Sequence, residues 1–216
     1  MNASQCGLVI PDIYHLGNSL NNPSAGQSSY LARTFGLSGK VDVAYKNYLY
    51  LSLTGRNDWV SILDPQNRSF FYPGVALSFV ATDAIEGLKD FEPLNFLKLI
   101  ANWSKVGQVN VGTTSTFGAY ATVPTFSQGA GYPYNGVGGF TIGNQIVQPG
   151  LKPEMTRSIE FGFESQWWNN RITANATYFN NRTTDNTVPA IISWATGYSN
   201  YLVNAGITTG KGIESK

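Results

Sequence analysis

Charge is what this chain has least of: only 12% of its 216 residues are Asp, Glu, Lys or Arg, roughly half the usual share. Its 14 basic and 13 acidic side chains nearly cancel, to a formal +1. No basic field is left to draw nucleic acid, and no acidic field to draw cations. One cysteine, Cys6, cannot form an internal disulfide, and one histidine, His15, cannot build a Cys/His set of zinc spacing. No metal and no cofactor is expected. No apolar run approaches the roughly 18 residues of a membrane-crossing helix. The opening MNASQCGLVI also lacks the basic region and apolar core of an export signal, and Cys6 lacks the apolar lead of a lipid-modified cysteine.

What fills the gap is Gly (23), Tyr (12) and Phe (12), with much Asn, Ser and Thr, a composition that predicts an all-β chain with long loops. Period-2 alternation predicts strands near 30–45, 48–57, 70–80, 96–106, 157–167 and 171–181, and a seventh starting near Gly206. No long helix competes with them. One face gathers Leu49, Leu51, Leu53, Phe71, Val75, Leu77, Phe79, Leu97, Leu99, Ala101, Trp103, Ile159, Phe161, Phe163, Ile172, Ala174, Ala176 and Tyr178, without a charge. The other gathers residues such as Ser52, Thr54, Arg56, Lys98, Asn102, Glu160, Glu164, Thr173 and Asn175.

The apolar face has two possible destinations, a dry protein core or lipid. A soluble β-sandwich that binds carbohydrate shows the same alternation with its apolar side turned inward. Four features favour lipid. Tight turns at Lys46-Asn47 and Asn169-Asn170 alternate with long connections at 58–69, 107–156 and 182–205, the asymmetry of an outer-membrane barrel. Tyr45, Tyr48, Trp167 and Trp168 gather near the tight turns while Trp103 and Tyr178 sit towards the other end, as in two interfacial girdles. Ten residues at ~3.3 Å each, tilted by ~45°, rise ~23 Å, close to the ~25 Å apolar band of such barrels. A connection as long as 107–156 is also uncommon in a compact soluble domain. The segment 81–95, with Asp83, Glu86, Asp90 and Glu92, is expected to be a solvated turn on the short-turn side.

Six segments resemble the SusC/RagA-like TonB-dependent transporters of the outer membrane of Bacteroidetes-type bacteria: YLYLSLTGRNDW (48–59), NRSFFYPGVALSFV (67–80), FLKLIANWSKVG (96–107), LKPEMTRSIEFGFE (151–164), NNRITANATYFNNRTTDN (169–186) and GYSNYLVNAGITTGKGIE (197–214). They occur in the order and approximate spacing of that family. Gln108 and Gly210 depart from its usual Asn at both places, and nothing resembles its plug domain, its TonB-contacting segment or its final aromatic-ended strand. The resemblance implies an antiparallel up-and-down transmembrane β-barrel segment, about six or seven strands of a ~22-stranded barrel, with 1–29 as a loop or extended segment and 30–216 as partial barrel. It implies nutrient import of oligosaccharides or peptides, contact with outer-membrane lipid, drive through TonB and a SusD-like surface lipoprotein as partner.

No catalytic constellation is present, and no enzyme is expected. Glu160 and Glu164 share a face, but four residues of strand separate them by ~13 Å, beyond the ~5–9.5 Å of a glycosidase pair. His15 has no nucleophile in a strand-turn-helix setting, and GAGYPYNGVGGF (129–140) lacks the Lys-Ser/Thr of a phosphate loop. Asn-x-Ser/Thr triplets at Asn2, Asn67, Asn102, Asn175 and Asn181 reflect an Asn- and Thr-rich composition rather than glycosylation. The binding chemistry lies in aromatic loop residues set among Asn, Gln, Ser and Thr: Trp59, Tyr132, Tyr134, Trp194 and Tyr198 are candidates for stacking on sugar rings or gripping a peptide. The same residues also suit packing of the loops against one another.

Overall fold

The computed structural model describes residues 2–4, 7–18, 20, 24–26, 29–111, 119–123, 125–129, 132 and 134–216. Cys6 and part of the Gly-rich run lie outside them. Two units are distinguished, Met1–Leu31 and Ala32–Lys216. The first pairs Asn2–Ser4 with Ser24–Gly26 and holds a 3-10 turn, Leu16–Asn18. Asn18 fixes that turn by donating from Nδ2 to the carbonyls of Ile10 (2.8 Å) and Ile13 (2.6 Å). His15 Nδ1 accepts from the Gly17 N–H at 3.0 Å, a local turn contact.

The second unit is built on one seven-stranded antiparallel sheet. Its strands are β1 (Thr34–Tyr45), β2 (Leu49–Val60), β3 (Ser69–Val80), β4 (Leu94–Gln108), β5 (Glu154–Trp167), β6 (Ile172–Thr184) and β7 (Thr208–Ser215). Neighbours in sequence are neighbours in space throughout, so the sheet is a plain meander with β1 and β7 as its edges. Register aligns the alternation of one strand with the next: Leu51 lies opposite Leu77, Leu77 opposite Ala101, Ala101 opposite Phe161, and Phe161 opposite Tyr178. β1 adds Phe35, Leu37, Val41 and Val43 to the same face.

That face is left bare. Leu37 is 63% exposed, Phe71 59% and Phe161 56%, values that no core of a folded soluble domain shows. The buried apolar cluster sits elsewhere, among the long connections: Leu63 and Leu151 are 1% exposed and pack with Val111 and Leu202. The strands run past the apolar band, most of them 12 to 15 residues long, and their loop-side ends carry this cluster.

The two tight turns use the handedness that a twisted hairpin requires. Lys46 and Asn47 both have positive φ (47° and 60°), as do Asn169 and Asn170 (54° and 62°), and Asn tolerates this region better than most residues. The third connection at this end is two one-turn helices, α1 (Ala81–Ala84) and α2 (Glu86–Lys89), with Asp83, Glu86, Asp90 and Glu92 exposed. Helices of four residues leave no 3.6-residue pattern to detect.

Pro73 makes a local break in the wall. β2 and β3 pair from Leu49–Phe79 to Trp59–Ser69, but pairing of β3 with β4 stops at Gly74–Ser104. Proline has no N–H to give the next rung, and from there towards the loops β3 and β4 separate. A cavity of about 470 Å³ lies at the split, lined by residues including Arg56, Tyr72, Pro73, Gly74 and Ser104.

Candidate functional site

The polar face of the sheet is cross-linked from strand to strand. Lys98 of β4 meets Glu164 of β5 at 3.5 Å, Asn102 Nδ2 donates to Glu160 Oε2 at 3.4 Å, and the Ser158 hydroxyl, 3.1 Å from Glu160 Oε1, donates to Asn181 Oδ1 of β6 at 2.6 Å. The hydroxyls of Thr156 and Thr183 meet at 2.8 Å. On the first two strands Ser52 donates to Asp42 at 2.6 Å and Lys40 pairs with Asp42 at 3.0 Å. Glu160 and Glu164 therefore each have their own partners on the neighbouring strand and form no acid/base pair. The result is a wet wall in which most polar groups answer one another sideways.

The tightest polar cluster on this wall lies at its loop end. Arg56 Nε donates to Asp58 Oδ1 at 2.8 Å, and the Tyr72 hydroxyl donates to the other carboxylate oxygen. The Asp58 side chain is 11% exposed against 50% for Arg56, so the carboxylate is the sunken anchor and the guanidinium its open side. Gly36 on β1 makes the room: a Cβ there would stand 2.5 Å from Asp58 Oδ1 and 2.8 Å from an Arg56 nitrogen. Sequence reading left Asp58 to a loop and overlooked Gly36. The available signal was Arg56-x-Asp58, a two-residue spacing that shares a face only if the strand continues.

Three long connections converge above the strands and are held by side-chain-to-backbone bonds. Asn67 donates to the carbonyls of Gly150 (2.7 Å) and Leu151 (3.1 Å), and Asp64 accepts from the Gly150 N–H at 2.7 Å. Asn204 accepts from the Lys152 N–H at 2.7 Å and donates to the carbonyls of Lys152 and Asp185 at 3.0 and 2.8 Å. A small sheet completes the lock: Thr187–Ile191 pairs antiparallel with Asn200–Asn204, which pairs in parallel with Gln145–Val147. Nothing in the local sequence of three-residue strands announces such pairing.

The five candidate aromatics are not drawn together into one site. Trp59 sits on the apolar face of β2, by parity with Leu49, Leu51 and Leu53, and tilts against Phe35 with ring centroids 5.3 Å apart. With Trp103 it marks the loop-side girdle, opposite Tyr45, Tyr48 and Phe79, whose rings meet at 5.8 and 6.0 Å near the turns, whereas Tyr178, expected in that girdle, falls at the middle of β6, opposite Phe161. Tyr132 and Tyr134 lie in the connection between β4 and β5, both exposed. Trp194 opens the exposed 3-10 turn Trp194–Thr196, capped by the Ser193 hydroxyl and ended by Gly197 at φ 84°. Tyr198 follows it, half-buried.

Comparison with known proteins decides what such a sheet belongs to. The family model described as TonB dependent receptor-like, beta-barrel, matches residues 10–215. The chain belongs to this family. Two curated relatives from Formosa agariphila are similar: TonB-dependent receptor P26, 29% identical over 177 residues (82% of this chain, 17% of the relative), and TonB-dependent receptor P3, 24% identical over 190 residues (87% and 18%). The chain thus spans less than a fifth of their length. Among solved structures, the RagAB peptide transporter matches with TM-score 0.76 at 20% identity, covering 92% of this chain and 21% of that one. The ferric enterobactin receptor PfeA of Pseudomonas aeruginosa matches with TM-score 0.54 at 18% identity, covering 85% and 24%. Both likenesses concern the fold. The sheet is accordingly seven adjacent strands of a TonB-dependent outer-membrane barrel, unclosed in itself, and the bare face is its lipid side. No helix among the described residues is long and apolar enough to cross a membrane; the crossing is made by strands.

Proposed function

We propose that this chain supplies lumen wall and outer loops to a TonB-dependent receptor of the outer membrane that imports nutrients such as oligosaccharides or peptides, energised through TonB and covered by a SusD-like surface lipoprotein. The observation that carries the reading is the division of one meander into a bare apolar face and a laterally hydrogen-bonded polar face, within a family of such receptors. The transporter named RagAB takes peptides and the Pseudomonas receptor PfeA is seen with enterobactin. A bulky, hydroxyl- or amide-rich cargo suits the exposed aromatics Tyr132, Tyr134 and Trp194 and the half-buried Tyr198, which offer flat faces for stacking beside polar neighbours. Trp59, on the lipid side, belongs with the girdle.

The decisive measurement uses the complete receptor in intact cells. Cysteine placed at Phe161 is protected from a membrane-impermeant maleimide, and cysteine placed at Ser193 is labelled from outside. Equal labelling at both positions contradicts the barrel wall. For cargo, Tyr134→Ala and Trp194→Ala lower the affinity of the purified receptor for its oligosaccharide or peptide by about tenfold, roughly what losing one stacked aromatic anchor removes; unchanged affinity assigns those rings to loop packing.

A further inference from the structure

The outer face carries one feature that nutrient passage does not use. Above the apolar band on the loop side, Arg157 of β5 lies directly opposite Lys105 of β4 and directly opposite Arg182 of β6. Lys211 of β7, opposite Asn180, sits diagonally beside Arg182. All four have the parity of Trp103, Ile159, Phe161 and Ile213, so they share the lipid side of the wall. Like charges set directly opposite on adjacent strands repel. Among the described residues no carboxylate forms an ion pair with any of them, although Lys98 on the polar face has such a partner in Glu164.

The placement is selective. On β3, β2 and β1 the row is continued by Pro73, Gly55 and Gly39. Beyond it towards the loops the same face carries Phe71, Asn57, Trp59, Leu37 and Phe35, none of these basic, and the turn-side end of the face holds Tyr45, Leu49, Phe79 and Ile172. Lys105, Arg157 and Arg182 therefore form one cross-strand row over β4, β5 and β6, and Lys211 stands one repeat nearer the turns on β7. Three of them, Lys105, Arg157 and Arg182, line a cavity of about 440 Å³ floored by Trp103 and flanked by Met155. Asp185 also borders it; its Oδ2 accepts from the Thr184 hydroxyl at 3.3 Å, and it pairs with none of the cations.

We infer that this outward groove on β4, β5 and β6 binds the phosphate-bearing headgroup of a lipid in the leaflet on the loop side, with the acyl chains laid along Ile159, Phe161 and Phe163. The inference rests on the sheet being a lipid-facing wall. Charge complementarity selects the headgroup: Arg157 and Arg182 present planar forks suited to phosphate oxygens, Lys105 a third donor beside them, and the next pair of outward residues towards the membrane is Trp103 and Ile159, one strand repeat of ~6.6 Å away. A phosphorylated lipid meets both requirements at once, whereas a soluble anion meets only the first.

The test uses the complete receptor, purified in detergent, with tryptophan fluorescence and native mass spectrometry as readouts. The probes are diphosphorylated lipid A, the same lipid after phosphatase treatment, and inorganic phosphate. The wild type retains the phosphorylated lipid at least about tenfold more tightly than the dephosphorylated one, as two or more charge-assisted contacts imply, and millimolar inorganic phosphate does not displace it. The variant carrying Lys105→Gln, Arg157→Gln and Arg182→Gln loses this preference, while the variant carrying Arg157→Lys and Arg182→Lys keeps part of it and Lys40→Gln on the polar face keeps all of it. The glutamine variant relieves like-charge repulsion and folds, as its heat-modifiable migration verifies; were it not to fold, Arg157→Gln alone gives the same readout. An unaltered preference in the glutamine variants, no preference in the wild type, or displacement by inorganic phosphate alone overturns the inference. Outer-membrane insertion of the receptor is scored separately, so that losing the headgroup site leaves the wall itself standing.

Discussion

Gly36 and Gly150 are small residues on which larger arrangements depend. Gly36 leaves the space in which Arg56 and Asp58 meet. Gly36→Val is expected to push the Arg56 side chain off Asp58 and leave a sunken carboxylate with Tyr72 as its one remaining donor; the receptor still assembles, and a lower urea midpoint together with faster labelling of a cysteine at Ser38 records the loosened wall. Gly150 adopts φ +71°, and a Cβ there would meet Gln66 Nε2 at 2.9 Å. Gly150→Ala is expected to cost about 1–3 kcal/mol for the left-handed backbone and to speed protease cleavage in the segment after β4. The polar face was legible over the middle of the strands, where its members alternate with apolar neighbours; at the loop-side ends Lys105, Arg157 and Arg182 interrupt that alternation on the apolar side. Asp58 was not, since Asn57, Asp58 and Trp59 interrupt the greasy rhythm and resemble a turn, while the strand in fact continues to Val60.

Elements divide by the range of the information that forms them. The seven long strands follow from period-2 alternation, which is local, and the two Asn-bearing turns follow from their need for positive φ, which is also local. Structure extends the expected strands by one to three residues at several loop-side ends, where side chains stop alternating but backbone pairing persists. The small sheet over the wall is different. Ile146 pairs with Tyr201 across more than fifty residues of intervening chain, and three-residue strands are too short to show any period. Breaking that pairing gives a direct test: Ile146→Pro removes a backbone donor, so protease nicking between 125 and 150 is expected to accelerate severalfold in the assembled receptor, with the barrel unaffected. The candidate aromatics fall on the same divide. Trp59 ends on a strand whose parity assigns it to the lipid side, whereas Tyr134 and Trp194 sit where sequence indicates no more than a loop.

At the scale of the whole molecule, the open sheet sets the terms. β1 alone offers on the order of a dozen unpaired backbone groups along its free edge, each costing several kcal/mol in hydrocarbon. A total of tens of kcal/mol exceeds the roughly 5–15 kcal/mol that stabilises a typical fold. Expressed alone, residues 1–216 are expected to sediment as aggregate or require detergent; a detergent-free monomer with one cooperative melt contradicts the lipid-facing assignment. Within a closed barrel the same edges are satisfied, and the burial that remains is that of the outer crown. Leu151→Ala removes a side chain 1% exposed and is expected to cost about 2–5 kcal/mol, measured as loss of protease resistance outside the membrane. That crown has a mechanical corollary. Leu63, Val111, Leu151 and Leu202 come from three separate loops yet form one cluster, so prying any loop away strips the oily cover from the other two. The three therefore swing together or stay put, like a hatch cut from a single plate.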